Sequence, residues 1–500
     1  MQKEPESDSS ELKEKEMETT PSYAVNPDLE EHNAGTDEEG ADGAGTDKPE
    51  FGLVSSQTRS LNEEIPDKFR GWGLLSAIGF FLFCFNTWGS NAAYALYLQE
   101  YINEDVFPGS AVIDYGAIGG LTFGSGLVVA PLINYGVGFV GLKVAILCGV
   151  LVQFVGVMLA SYSTKLWQIY CTQGLMQGVG MALVAVPSVL IIPQWFKGGP
   201  GGKRNLAFGL GTAGSGVGGI VYNIGMEPIL TKHGWHWALR TQAIICLVLN
   251  LVAILLSKSR DDKVKPVYKV YDREVFFNFG SLAMTVWAML SLLGYVVLMY
   301  SLGDFTRAMG YGTKEASVVS TMVSVGIIYG RPAIGIIADR IGPIQASIIA
   351  SWLVALFVFA MWLPCKNYAT AIVFALFAGS LMGTVLVTSA AISAAVVGLR
   401  KFGIGMSLGW ISVGASGIVS PIIGLSLKSG GAPSRAQYRN PTIFIGCCYV
   451  AAGLVLCVLR GWFIVRNRLA AETKQGDMLK VVVPFREGFI GIFTLGNHKV

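Results

Sequence analysis

Gly330-Arg331-Pro332-Ala333-Ile334-Gly335-Ile336-Ile337-Ala338-Asp339-Arg340-Ile341-Gly342-Pro343 sets one arginine inside an apolar run and closes the run with an acidic-basic pair and a glycine. A second apolar stretch follows, about twenty residues long, the length that spans a bilayer as helix. The segment reads as two membrane helices joined by a tight cytosolic hinge. Gly335 is expected to let two helices meet closely, while Asp339 and Arg340 lock the turn by charge and helix-end dipole.

Composition agrees with a chain built for lipid. Apolar residues make up 52% of it, charged residues only 14%, and there are 62 glycines, whereas soluble domains are roughly 25% charged. The net charge of +3 hides an asymmetry, because residues 1–65 hold 18 of the 34 acidic and 5 of the 37 basic side chains. That acidic, Ser/Thr/Gly/Pro-rich segment, 1–66, reads as a disordered cytosolic tail with no secretory signal, a spacer in preference to a docking element. The eight cysteines fall mostly within apolar runs without metal-ligand spacing, and so read as packing residues. No cofactor or metal is expected.

Apolar runs and their Gly, Pro and charged boundaries predict an all-α membrane protein of twelve transmembrane helices. They lie near 71–98, 115–134, 142–162, 167–195, 205–230, 236–257, 277–303, 315–338, 344–363, 368–398, 402–427 and 442–465. The charged loop 258–276 divides a six-helix half, 67–257, from a second, 277–466, and 467–500 forms a tail. Lys143, Lys197, Lys203, Arg204, Arg340, Arg400, Lys401 and the Lys258–Arg273 cluster fall on the side of the termini, which places both termini in the cytosol. The halves also read as a repeat: Gly124-x-Gly126 leading to Ala130-Pro131 parallels Gly330 and Pro332, but Asn134 and Tyr135 stand where the second copy has its acidic-basic pair. Duplicated halves around a midplane site are the architecture of an alternating-access carrier.

Polar residues inside these helices are the candidate solute contacts. Ser317, Ser320, Ser324 and Arg331 share one face of the eighth helix. Arg331 lies about 12 Å deeper than Asp339 at 1.5 Å per residue, where an unpaired charge costs at least about 2.5–3.5 kcal/mol. A wet pathway carrying an anion would satisfy it; snorkelling or carbonyl contacts are the alternative. On the first helix Asn86, Ser90 and Tyr97 fall on one face, with Tyr94 near and Thr87 and Asn91 flanking, a stripe suited to a polar solute or to holding helices together. Gln173 with Gln177, Thr384 with Thr388, and Ser412 with Ser416 form weaker pairs, and Trp410 offers an aromatic wall. Asp304 and Arg307 at the outer end of the seventh helix read as a gate or as a solvated pair.

Several other functions are excluded. Gly214-x-Gly216-x-x-Gly219 fits a dinucleotide fingerprint only formally, since no strand precedes it. Gly198 through Arg204 lacks P-loop spacing. The four histidines lie in tails or a loop, so no catalytic triad or enzyme activity is read, and no nucleic-acid partner is expected.

Trp195-Phe196-Lys197 with Lys203-Arg204-Asn205-Leu206-Ala207-Phe208-Gly209 through Gly219 resembles the loop-and-helix pattern of monocarboxylate transporter-like proteins. Asn86-Thr87-Trp88-Gly89-x-Asn91-Ala92-Ala93-Tyr94 and Asp114-Tyr115-x-x-Ile118-Gly119-Gly120-Leu121-Thr122 are similar to the first two helices of that group's fungal branch, within the major facilitator superfamily. The group's opening motif is present in part, as Pro66-Asp67 and Arg70-Gly71-Trp72-Gly73. The resemblance implies a carrier of a small organic anion in which Arg331, assisted by Asn86, Ser90, Asn91 and Tyr94, contacts the solute. Proton-coupled lactate carriers of the group pair this arginine with an aspartate and use a first-helix lysine; Ile327 and Ser90 occupy those positions here. Proton coupling and facilitated diffusion therefore both stay open. The other readings are a carrier for a riboflavin-like vitamin, a metabolite exporter, and a non-transporting receptor or scaffold. The plasma membrane is the default location, with an internal membrane as the alternative, and 481–500 has no assigned role.

Overall fold

The computed structural model describes residues 65–199, 201–429, 434–473, 479, 481 and 483–491. The acidic tail read over 1–66 thus falls outside the described residues, apart from its last two. Among the described residues every regular element is helical. The membrane helices are α1 (Trp72–Ile102), α2 (Ile113–Val128 and Ala130–Val140), α3 (Leu142–Ala160) and α4 (Leu166–Gln194). Then come α5 (204–233), α6 (235–256), α7 (Phe279–Ala308), α8 (Thr313–Ile341), α9 (Pro343–Trp362), α10 (Tyr368–Val397), α11 (Phe402–Ser426) and α12 (Arg439–Thr473).

Two of these need a physical argument. Residues Arg204–Leu256 form one run of 53 residues, about 80 Å at 1.5 Å per residue, against roughly 30 Å of hydrocarbon. Gly234, at φ 77° and ψ 170°, breaks the run into α5 and α6, a conformation that glycine adopts without a Cβ penalty. The second helix is longer than the 115–134 expected. It bends by 52° around Val129 and continues to Val140, because Pro131 cannot donate the hydrogen bond that would carry a straight helix through. An even number of crossings puts both ends and the 257–278 linker on one face, called here the terminal face.

The core is assembled at glycines. A Cβ at Gly209 would lie 2.4 Å from the Arg331 carbonyl, one at Gly335 2.5 Å from the Asn205 carbonyl, and one at Gly124 2.2 Å from the Gly414 carbonyl. These contacts join α5 to α8 and α2 to α11, so the seams between the two six-helix halves close backbone to backbone, as small residues allow in a lipid solvent. The outward faces carry Leu132, Phe139, Ile224, Leu255 and Phe277, all well exposed, as lipid contact requires. Arg240 stacks over Tyr162 and Trp237, 4.3 and 5.0 Å from their ring centres, an aromatic-cationic anchor at the opposite face.

Candidate functional site: a cavity between the halves

Inside α1, Phe85–Gly89 winds as a π-helical turn, a local widening that proteins concentrate at functional positions. It turns Thr87 and Trp88 into a small hollow of ≈ 20 Å³, together with Phe80 and Cys84 of the same helix. Ala185, Ser188 and Val189 of α4 and Phe208 and Thr212 of α5 complete the wall from the first half. Leu386, Ser389 and Ala390 of α10 with Met406 and Trp410 of α11 supply the second. Trp88 and Trp410 reach across from opposite halves as near-parallel indoles, 21° apart with centroids at 6.3 Å, and Phe123 of α2 backs Trp88 at 5.2 Å.

Arg331 stands one layer behind this wall. It is 1% exposed. Its Nη1 donates to the Thr212 carbonyl and to Ser215 Oγ, both at 2.7 Å, while its Nε is buried without a partner. Gly383 of α10 gives it room, since a Cβ there would lie 2.6 Å from Nε. Tyr295 of α7 hydrogen-bonds the guanidinium and Cys84 lies within electrostatic range, and among the described residues no carboxylate pairs with it. Because Thr212 and Cys84 line the cavity and also flank Arg331, the charge is separated from the void by a single layer of side chains.

The polar stripe of α1 is placed differently from its expected role. Asn86 is fully buried: Tyr222 donates to its Oδ1 at 2.7 Å, its Nδ2 donates to Asn250 at 3.2 Å, and Gln153 donates to its carbonyl at 3.0 Å. Tyr97 donates to Gln242 at 2.7 Å, and Ser90 gives its proton to the Asn86 carbonyl at 2.6 Å. Asn86 and Ser90 therefore tie α1 to α3, α5 and α6 inside the first half and do not border this cavity; the cavity-facing residues of α1 are Phe80, Cys84, Thr87 and Trp88. Tyr94 donates to the Tyr115 carbonyl at 2.6 Å, and Asn91 is half-buried with an unpartnered Oδ1. Gln173 accepts from Tyr101, and Thr388 bonds Ser347, so these side chains also serve helix contacts.

At the terminal face, Asp339 crosses the seam. Its carboxylate accepts from the Asn205 N–H at 3.1 Å, Asn205 Nδ2 at 2.8 Å and the Leu206 N–H at 2.9 Å, capping the N-terminus of α5 with negative charge. Arg340, paired with it in the sequence reading, is exposed, and among the described residues no ion pair holds it. Asp304 and Arg307 are likewise both exposed, with no ion pair between them. At the matching position of the other seam, Asn134 is fully buried against Gly403 at the start of α11, with neither amide atom bonded.

Beneath the cavity runs the linker. Its first part binds the first half, through Trp195 Nε1 to the Lys258 carbonyl at 2.8 Å and Gln194 Nε2 to Asp261 at 2.7 Å. Burial raises the Asp261 carboxyl pKa, partly offset by hydrogen bonds from Ser259 and Gln194. Its later part binds the second half, where Val267 N–H donates to the Arg400 carbonyl at 2.8 Å and Lys401 pairs with Asp272 at 3.0 Å and Glu274 at 2.7 Å. Between the two, Pro266, Val267 and Tyr268 line a second hollow with Leu190, Pro193, Leu399 and Phe402, bridging the two halves like a strap.

The sequence profile of the Major Facilitator Superfamily matches residues 76–421. The chain belongs to that superfamily. It is 43% identical over 418 residues to the probable transporter MCH2 of Saccharomyces cerevisiae, covering 83% of this chain and 87% of the relative. To the aspyridones efflux protein apdF of Emericella nidulans it is 30% identical over 394 residues, 77% of each. Among solved structures, the proton:xylose symporter XylE bound to 6-bromo-6-deoxy-D-glucose matches with a TM-score of 0.57 at 13% identity, over 77% of this chain and 94% of that one, a likeness of fold. This major facilitator is thus a multi-pass membrane protein that transports small solutes.

Sequence reasoning missed several of this transporter's cavity residues. Cys84 read as packing, and Thr212, with Ser215 that receives Arg331 behind the wall, was hidden in a glycine run that read only as a close-packing face. Their one signal was spacing: residues three apart on α5 share a face with the glycines that meet α8.

Proposed function

We propose that this transporter moves a small organic anion, a monocarboxylate or a close relative, by alternating access of the two halves to the central cavity. The terminal face is assigned to the cytosol on the strength of its basic loops, and the plasma membrane is the favoured location. The observation that carries the reading is the Arg331 guanidinium, buried across the α5–α8 seam with an unsatisfied Nε and, among the described residues, no acidic partner. A cation so placed is compensated only in part by a carbonyl, the Ser215 hydroxyl and Tyr295, and its field favours a negative guest in the adjoining void. Relative motion of the halves, whose seam runs through Thr212 and Gly383, would bring the guanidinium into direct contact with that guest.

Ile327 stands where a proton-carrying aspartate would sit, so the site itself supports anion binding more directly than proton coupling. Export is the second reading, favoured by the efflux function that the name of the Emericella nidulans relative records. Asp339 and Gly335 act in this scheme as the latch of the closed terminal face, while Asn86, Ser90 and Tyr94 stiffen the first half.

The test is flux of labelled lactate and other short acids into vesicles containing the purified protein. Arg331→Ala is expected to lower acid flux about ten- to a hundredfold, the value of one charge-assisted hydrogen bond, with Arg331→Lys intermediate. Undiminished flux of every acid by a normally inserted Arg331→Ala protein would remove the proposal.

A further inference from the structure

The cavity wall is aromatic on both sides. Trp88 and Trp410 come from opposite halves and lie only 21° from parallel, and Phe80 and Phe208 meet edge to face at 5.6 Å on the same cavity. Polar hydrogen on the wall is scarce, because the hydroxyls of Thr87 and Thr212 are given to carbonyls of their own helices at 2.6 and 2.7 Å. One buried donor on the wall is left without an acceptor, the Trp410 indole Nε1, and a second, Arg331 Nε, lies one layer behind the wall. An unpaired buried donor is costly until a guest supplies the acceptor.

Flat apolar faces with a free indole donor on the wall and a cation behind it describe an amphipathic guest. We propose that the transporter selects organic anions built on a planar conjugated ring, the ring held against Trp88 and Trp410 and the carboxylate or enolate turned toward Arg331, over aliphatic acids of equal size. This rests on the anion reading above and narrows it. The selecting element is the indole pair. Since one indole belongs to each half, a ring lying on both would also couple guest binding to approach of the halves.

The experiment uses the full-length protein in lipid nanodiscs and measures affinity for benzoate, cyclohexanecarboxylate and benzyl alcohol at neutral pH by calorimetry. Benzoate and cyclohexanecarboxylate share charge and size but differ in planarity; benzyl alcohol keeps the flat ring and loses the charge. Benzoate is expected to bind about three- to tenfold more tightly than cyclohexanecarboxylate, the range of a favourable aromatic contact, and Trp410→Leu to bring that ratio close to one while Trp410→Phe preserves it. Equal affinity of the two acids for the wild-type protein overturns the inference and leaves the anion reading standing. Benzyl alcohol binding as tightly as benzoate overturns the anion reading and spares the aromatic wall. Binding of none of the three, alongside Arg331-dependent flux of short acids, overturns the inference alone.

Discussion

The two seams between the halves occupy matching places in the fold and are finished differently. Where α8 ends, Asp339 places a carboxylate on the first N–H groups of α5 with three hydrogen bonds. On the second segment of α2, Asn134 meets the first turn of α11 as a neutral amide with no bonds at all. Both seams are glycine-packed, so shape closes each of them; charge reinforces only one. The α5–α8 seam is also the one that holds Arg331, so the half-to-half contact nearest the buried cation is the one reinforced by a charged cap. A switch needs one contact strong enough to hold a state and others weak enough to release it.

Cys84 lines the cavity and is buried, which makes its alkylation by a membrane-permeant maleimide a native reporter of opening at the terminal face. Asp339→Ala is expected to have the largest effect, since loss of a capping carboxylate with charge-assisted bonds is worth about 1.5–3 kcal/mol. Labelling of Cys84 should rise about ten- to a hundredfold; an unchanged rate would deny the latch. Next comes steric closure of the other seam. Gly124→Ala puts a methyl where the Gly414 carbonyl already lies within 2.2 Å and is expected to cost about 1–3 kcal/mol as overpacking, read as a lower thermal midpoint. Gly136→Ala, on the same helix with nothing within 4 Å of its Cβ position, should leave the midpoint in place.

How much of this was legible from the chain differs from helix to helix. The spans were readable because lipid leaves no alternative to apolar helices of crossing length. The bend at Pro131 and the extension to Val140 were less so, since the turn of polarity near Asn134 marked an end that the backbone passes. Arg331 was conspicuous because a lone charge in an apolar run has few explanations, whereas the groups that receive it are a backbone carbonyl and a serine in a glycine-rich helix, and carbonyls leave no mark in a sequence. The α1 stripe was drawn with an α-helical period across Phe85–Gly89, where the helix is π-wound. Asn86, Ser90 and Tyr97 nevertheless share a face, each meeting α6; what no period shows is which neighbour a face meets, and here it is the first half, while Thr87 and Trp88 beside it reach the cavity. Asp339 was read within its own turn; its partners lie more than 130 residues away.

The seams can be made more alike by Asn134→Asp. A carboxylate facing the N-terminus of α11 is expected to add about 0.3–1 kcal/mol to the closed terminal face through the helix dipole, slowing Cys84 labelling about two- to fivefold. Faster labelling would mean that desolvation of the new charge outweighs the dipole at this fully buried position. In the Asp339→Ala background the same substitution should recover part of the lost closure, which a merely local disturbance at Asn134 would not do.

The strap carries the smallest effect and has a pH signature. Burial opposes ionisation of Asp272, but the hydrogen bond and charge of Lys401 and the N–H groups of Glu274 and Val275 outweigh it and leave its pKa below the ordinary carboxylate value. Burial likewise opposes the Lys401 ammonium, and its two carboxylate partners outweigh that, so its pKa is raised. A depressed carboxylate contributes in full above its unfolded pKa and loses that contribution as pH falls through the folded value; a raised ammonium contributes below its unfolded pKa and loses it as pH rises through the folded one. The pair therefore supports the strap throughout the interval between ordinary carboxylate and ordinary lysine titration and fails at either end. With Lys401 and Glu274 partly in solvent, the whole pairing is worth no more than about 1 kcal/mol. Lys401→Ala should raise Cys84 labelling less than about fivefold at neutral pH; because maleimide reacts with the thiolate, every rate falls on acidification, and the signature is the variant-to-wild-type ratio, which should fall toward one through the Asp272 titration. A variant that keeps the wild-type acid response would show that the strap is not held by this pair.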